Sequence, residues 1–337
     1  MKVNKLKLYY YPSASKGGYS NPYSIRVKEA MGKFYDVLDS ENTPCSALSL
    51  GILKNCTKAD VFLLNWIENI GGAKLRYLQF LVVCLSFWII RLRDAKILWT
   101  LHKIQPHEGD CWISQSIRSY LFKHADLIIC HSMDAANYAK RNAHCEVIYI
   151  CHPLEKISAE KDDNVYSTID ILIWGKILPY KGVAELLESD VIKNSDLKIA
   201  IIGKCDDVNL LEKIQSAVTP NVVFENRKID FPELKSRIKS SKFVLFPYVG
   251  GSISSSGALM DTIVLGGIPL GPCMGAFKDL THEGICLTYN TYEDIINLVR
   301  SNQQVDEKRR NDFIRRNSWS HFAGILQSKS IIYKNHL

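Results

Sequence analysis

Two lysines that bracket a turn are the residues with the most evident chemistry. Over Ile169–Gly182 the chain reads IDILIWGKILPYKG: an apolar strand, Trp174-Gly175, Lys176, then Pro179-Tyr180-Lys181-Gly182 leading into a helix. Gly175 permits a tight turn and close backbone approach to a ligand. Lys176 and Lys181 are placed to hold an anion, and the next helix adds a positive N-terminus. Two lone loop lysines are ordinarily surface charges; the string Gly-Lys-x-x-Pro-Tyr-Lys-Gly is more specific than either. A second string, FVLFPYVGGSISSSGALMDTIVLGGIPLG over 243–271, ends a strand at Pro247-Tyr248 and passes through a Gly/Ser-rich loop. Ser256-Gly257 then open a helix, whose unpaired backbone N–H groups make another anion site. Asp261, about one turn in, suits a ribose diol because a carboxylate accepts from both hydroxyls; compensation of the helix dipole suits it equally.

These residues need strand ends to hold them, and the pattern supplies strands alternating with helices. Strands are expected at Leu6–Tyr11, Asp60–Leu64, Lys96–Leu101, Leu127–Cys130 and Val147–Cys151. Helices are expected at Tyr23–Leu38, 72–92, Cys111–Lys123 and Met133–Arg141, with a turn-rich stretch at Pro12–Tyr19 that holds Gly17-Gly18. Residues 156–168 are polar, charge-rich and without period, which marks a linker. A second series follows, from strand Ile169–Trp174 to strand Ile268–Gly271, and the tail Tyr292–Tyr333 reads as two helices. The order predicts α/β architecture: two Rossmann-like, doubly wound parallel domains facing a cleft, with ligands beyond the carboxyl ends of the strands. His102, His131 and His152 each follow a strand. His107, His131 and His152 have no close ligand spacing, so no metal site is expected from them.

Length and composition agree with two domains. The chain has 337 residues, 47% hydrophobic and 23% charged, which excludes disorder, a collagen-like repeat and a small disulfide scaffold. Its ten cysteines form no CxxC pair, and buried free thiols in a reducing cytoplasm are expected. The N-terminus shows no signal-peptide apolar core. The net charge of +7 is uneven: residues 1–155 hold 19 Lys+Arg against 13 Asp+Glu. A basic half calls for an anionic partner. Nucleic acid is not expected, for there is no helix-turn-helix, RNA-stacking motif or dense Lys/Arg stripe. The apolar run Tyr77–Ile90 is too short to span a bilayer. Lys74, Arg76, Arg91 and Arg93 flank it, so segment 74–93 reads either as a buried core helix or as one lying on an anionic membrane surface.

The two C-terminal strings together resemble the GT-B glycosyltransferases of family 4 (group 1). Those read Gly-Arg/Lys…Pro-x-Lys-Gly at the start of the C-terminal domain, and later Pro-x…Ser-Gly…Glu-Ala…Gly-x-Pro. Three N-terminal strings agree: Trp99-Thr-Leu-His102-Lys-Ile-Gln-Pro-His107-Glu108, Asp60-Val-Phe-Leu-Leu-Asn-Trp66, and Asn21-Pro22-Tyr23, which is similar to capsule and exopolysaccharide members. The resemblance implies an N-terminal acceptor-binding domain over 1–155, a donor-binding domain over 169–310, and a C-terminal helix over 311–337 packing back on the first. It implies transfer of a sugar from a UDP- or GDP-linked donor to a lipid-linked or oligosaccharide acceptor in cell-surface polysaccharide synthesis.

Lys176 and Lys181 would bind the donor diphosphate, Ser256 and Gly257 would offer backbone donors to it, and Asp261 would hold the ribose. Gly17 and Gly18 would face the phosphates, and His102 would lie near the reacting sugar. Glu108 and His107 are candidate general bases if the reaction inverts configuration. No metal cofactor is implied, and the sequence has no Asp-x-Asp string. Two departures stand out: the family's Glu-x7-Glu pair is Ile253 and Asp261 here, and the residue after His102 is Lys103 rather than Asn. The resemblance favours retention of configuration. The other reading is a GT-B protein that binds a nucleotide-sugar without catalysis. The basic first half then faces the acceptor and the inner membrane surface, as a peripheral cytoplasmic protein.

Overall fold

The computed structural model describes residues 5–12, 21–38, 48–104, 111–155, 168–250 and 255–332. It divides into two compact units, Met1–Pro153 with Asn317–Leu337 and Leu154–Arg316.

Unit 1 runs β1 (Lys7–Tyr11), α1 (Pro22–Gly32), β2 (Asp36–Leu38), α2 (Leu48–Asn55), β3 (Val61–Asn65), α3 (Arg76–Leu92), β4 (Lys96–Leu101), α4 (Trp112–His124), β5 (Leu127–Cys130), α5 (Met133–Asn142) and β6 (Glu146–Tyr149). Its six strands are all parallel, in the order β2-β1-β3-β4-β5-β6. Strands β3, β4 and β5 are buried along their whole length, as a parallel sheet covered on both faces requires. One face packs Phe62, Trp99 and Ile128 against Val83, Phe87 and Ile90 of α3 and Ile117 and Leu121 of α4. The other packs Tyr10, Leu63, Leu98 and Ile129 against Val27 and Met31 of α1. The chain returns at its end to complete that face with Trp319, Phe322, Ala323 and Leu326.

Unit 2 runs β7 (Ile169–Trp174), α6 (Val183–Glu188), α7 (Asp190–Lys193), β8 (Ile199–Ile202), α8 (Val208–Ala217), β9 (Val222–Glu225), α9 (Phe231–Lys239), β10 (Ser241–Leu245), α10 (Gly257–Val264), β11 (Pro269–Pro272), α11 (Gly275–His282), β12 (Leu287–Tyr289), α12 (Tyr292–Ser301) and α13 (Glu307–Arg316). Its parallel order is β12-β11-β10-β7-β8-β9. Strands β7 to β9 build one way from β7, and β10 to β12 build the other way. The order therefore reverses between β7 and β10, which opens a crevice at their carboxyl ends. The last helix, α14 (Trp319–Ile332), belongs to unit 1.

The structure revises three expectations. The helix expected over Tyr23–Leu38 stops at Gly32, and Asp36–Leu38 pairs with β1 as an edge strand. Three residues are too few to show a strand period. The tail expected to form two helices forms three, because Asn302 takes a left-handed conformation (φ 48°) and ends α12. Short α2, α7 and α11 escaped a reading built on longer periods. The expected linker, apart from Thr168, lies outside the described residues. The nine described cysteines are free. No helix among the described residues is long and apolar enough to cross a membrane.

Candidate functional site

In unit 2 the site grows from the β7–β10 crevice. Strand β7 ends at Trp174, whose indole N–H donates to Thr262 Oγ1 of α10 at 3.0 Å and ties the strand end to that helix. Gly175 follows with φ 97°, a conformation open to glycine. Its carbonyl is crowded by Gly203, where a Cβ would come within 2.0 Å.

The chain then makes a single 3₁₀ turn, Pro179–Lys181, and Gly182 at φ 65° starts α6. A Cβ on Gly182 would sit 1.9 Å from the carbonyl oxygen of Pro247, so this glycine lets the loops after β7 and β10 touch. A hydrogen bond from the Val249 amide to the Tyr180 carbonyl at 2.9 Å joins the same two loops.

This contact sets the position of Lys181. Its ammonium lies 5.7 Å from the centre of the Tyr248 ring, and a Cβ on Gly175 would be 3.5 Å from it. Burial lowers its pKa from 10.5 to about 8, and an aromatic face compensates part of the lost hydration. Tyr248 in turn hydrogen-bonds Ser256 Oγ at 3.1 Å. Ser256 is the N-cap of α10, but its side chain is committed to Tyr248 and makes no cap bond. Leu259 N–H donates to the Ser256 carbonyl at 3.1 Å, so among the described residues the N–H groups of Gly257 and Ala258 are the ones left to an outside acceptor. Ser255 Oγ, one residue earlier, is buried with no hydrogen-bond partner among the described residues. Asp261 is half-buried one turn into α10. Lys181 and Ser256 thus meet on Tyr248, with Gly257 next in the chain and Asp261 one turn further along α10.

Lys176 does not share this setting. Its ammonium pairs with Asp206, on the loop after β8, at 2.9 Å, and both side chains are more than half exposed. Such a pair is weakly held and exchanges readily. Gly17, Gly18, His107, Glu108 and Ile253 lie outside the described residues.

Unit 1 gathers a second set around Tyr23, which follows the N-cap Asn21 of α1. Its ring makes edge contacts at 5.2–5.7 Å with Trp66, His102, His131, His152 and Trp319. Tyr23 donates its hydroxyl proton to His131 Nε2 at 2.8 Å, while His131 Nδ1–H donates to the Ile150 carbonyl at 2.8 Å. A carbonyl can only accept, so this tautomer follows. His102, just past β4, donates from Nε2 to Asn65 Oδ1 at 2.8 Å and stacks on Trp66 at 4.1 Å and 16°. Asn65 is oriented for this by its own amide, which reaches the Tyr11 carbonyl.

Burial lowers the pKa of all three histidines, that of His131 to about 4 and that of His152 to about 3. The cluster presents neutral imidazoles. Among the described residues no group of three or more His, Cys, Asp or Glu could hold a metal ion.

Sequence reasoning missed Tyr248, Asn65, Trp66 and Tyr23 as members of these sites. The available signal was an aromatic or amide at the carboxyl end of a strand or, for Tyr23, in the first turn of a helix, inside strings already singled out for other residues.

No protein-family model matches this chain. An uncharacterized glycosyltransferase of Methanocaldococcus jannaschii is 26% identical over 209 residues, covering 56% of this chain. The chain spans only 53% of that relative's length. Among solved structures, sucrose-phosphate synthase from Thermosynechococcus elongatus superposes with a TM-score of 0.67 at 12% identity, covering 98% of this chain and 99% of the other. HepE of Anabaena in complex with UDP-glucose gives 0.62 at 11% identity, covering 98% and 100%. At such identities the likeness is one of fold, and two parallel six-stranded sheets wrapped by helices make it the two-domain α/β fold of the GT-B glycosyltransferases.

Proposed function

We propose that this protein is a glycosyltransferase resembling family 4, which moves a sugar from a UDP- or GDP-linked donor to a hydroxyl of a lipid-linked or oligosaccharide acceptor. The observation that carries the reading is Lys181, held on the Tyr248 ring beside Gly175 and across from the uncapped start of α10. As the bond from sugar to diphosphate breaks, negative charge gathers on the phosphate oxygens. The Lys181 ammonium and the N–H groups of Gly257 and Ala258 are preorganised to stabilise it, and Lys176 joins them by leaving Asp206. Asp261 holds the ribose hydroxyls, and the family resemblance assigns Gly17 and Gly18 to the phosphates. The family resemblance assigns His102, a neutral imidazole, to the reacting sugar. The charge is neutralised by these groups without a metal, and the configuration is retained. The UDP-glucose complex of the structurally similar HepE supports this donor class.

The setting is cell-surface polysaccharide synthesis of the capsule type, on the cytoplasmic face of the membrane. The outward face of α3 supports it, since Tyr77, Leu78, Leu81, Leu85, Trp88 and Leu92 are all exposed there. The helix has no acidic residue and carries Arg76 and Arg91 at its two ends. Arg93 is engaged elsewhere, donating to the Cys56 and Ala59 carbonyls. Calorimetry with UDP- and GDP-sugars, and transfer assays on polyprenyl-linked saccharides with and without EDTA, test the reading. Donor binding that survives Lys181→Ala unchanged overturns the site, and loss of turnover in EDTA overturns the metal-free chemistry. Donor binding with no turnover on any acceptor establishes a non-catalytic binding protein, the alternative that Ile253 favours by replacing the family's Glu.

A further inference from the structure

Helices α3 and α4 leave a groove of about 420 Å³ between them. Its walls are Phe80, Val83, Phe87 and Trp88 of α3 with Ile117 and Tyr120 of α4. Phe87 and Tyr120 stack within it at 4.9 Å and 15°. Among the described residues, Arg91 is the one charged side chain in the lining and none there is a carboxylate. The volume falls in the range of small-ligand pockets, and the walls are hydrocarbon and aromatic.

Three observations select the occupant. Trp88, 61% exposed, belongs both to the groove and to the outward stripe of Leu81, Leu85 and Leu92, so the groove opens onto that stripe. The cation in the lining complements an anionic headgroup at the end of an apolar chain. A second copy of the chain fits poorly, because pairing α3 with itself sets Arg76 and Arg91 against like charges with no acidic partner on the helix.

We propose that this groove receives one hydrocarbon chain of an anionic membrane lipid, with its headgroup on Arg91. The inference rests on the membrane reading of α3 and is independent of the donor chemistry. The groove then selects which lipids hold the protein at the surface, which a flat apolar stripe cannot do.

Cys84 lines the groove and is exposed, and Cys273 is exposed in unit 2, so alkylation of the two thiols in the intact chain gives a probe and an internal reference. Alkyl phosphates up to dodecyl phosphate, below micelle formation, are expected to slow alkylation of Cys84 and leave Cys273 unchanged. Affinity should rise about four-fold for each methylene that enters the groove. Ser116→Trp, at an exposed lining position, is expected to abolish protection without changing thermal stability. Arg91→Gln should weaken alkyl phosphates while sparing dodecyl maltoside.

Absence of protection overturns the proposal, as does equal protection by inorganic phosphate. Protection that appears with protein concentration alone overturns it in favour of a second copy. Binding to phosphatidylglycerol vesicles with Cys84 unprotected removes the groove and leaves the membrane reading. Loss of donor binding with Cys84 protected removes the transferase reading and leaves the groove.

Discussion

Lys181 joins a low-dielectric position to the task proposed for it, which needs its charge. In the ligand-free protein its amine titrates near 8, so raising the pH through that value removes the cation a diphosphate would meet. Donor affinity is therefore expected to fall above about pH 8, with proton uptake on binding at that pH, both read by calorimetry. Lys181→Met keeps the stem, and should lower kcat/KM about 10²–10³-fold if the cation acts on the leaving group.

The buried imidazoles of unit 1 make the opposite kind of statement, about stability. Unfolded histidine takes a proton near 6.5, whereas His131 waits until about 4 and His152 until about 3. Between those values the unfolded chain binds more protons. Stability present in full above about pH 6.5 is therefore lost as the pH falls, by about 1.4 kcal/mol per pH unit for each of the two rings. Urea unfolding between about pH 7 and pH 4 measures it, and replacing both histidines with glutamine should flatten the slope.

Among the elements, the 3₁₀ turn before α6 has the least freedom. Gly182 combines a left-handed backbone with a backbone contact that admits no Cβ. Gly182→Ala is expected to cost at least about 2 kcal/mol and to weaken donor binding together with stability, because the same turn carries Lys181. Helix α3 behaves differently. Its inner residues Val83, Phe87 and Ile90 are core, while Leu81 and Leu85 face outward at 65% and 47% exposure. Leu81→Asp with Leu85→Asp should abolish sedimentation with anionic vesicles and leave the melting temperature and donor binding unchanged. Vesicle binding by wild type that ignores salt and lipid charge would count against the basic helix ends as its source.

At the scale of the molecule, the two units differ in how the chain builds them. Unit 2 is continuous, whereas unit 1 is closed only when the last helix arrives. Phe322 is 1% exposed in the core of unit 1, among Tyr10, Met31 and Leu98. Phe322→Ala should cost about 3–5 kcal/mol of unit 1 stability. Unit 2 should keep its donor affinity, so denaturation followed by donor binding and by far-UV circular dichroism should no longer coincide.

Much of the secondary structure could be read along the chain. Strands Lys96–Leu101, Leu127–Cys130 and Ile169–Trp174 carry the apolar stretches Ile97–Trp99, Leu127–Cys130 and Ile171–Trp174 because a parallel sheet covers both faces of its inner strands, and that demand is written into consecutive residues. The strings that carry Lys181, Ser256-Gly257 and Asp261 were legible for the same reason, since a strand, a tight turn and a helix start are local events. Partners were not legible. Asp36–Leu38 is a strand only because β1 lies beside it, and Tyr248 is a seat for Lys181 only because β10 crosses to the far side of β7. Lys176 faces Asp206 because β8 adjoins β7 on the other side. His102 meets Asn65 through the pairing of β3 with β4, and Tyr23 meets His102 from α1. Propensity and hydrophobic period act between near neighbours in sequence, so composition and order determine which segments become strands and helices. Which strand lies beside which is settled by packing between distant segments, and that packing alone decides which side chains share a site.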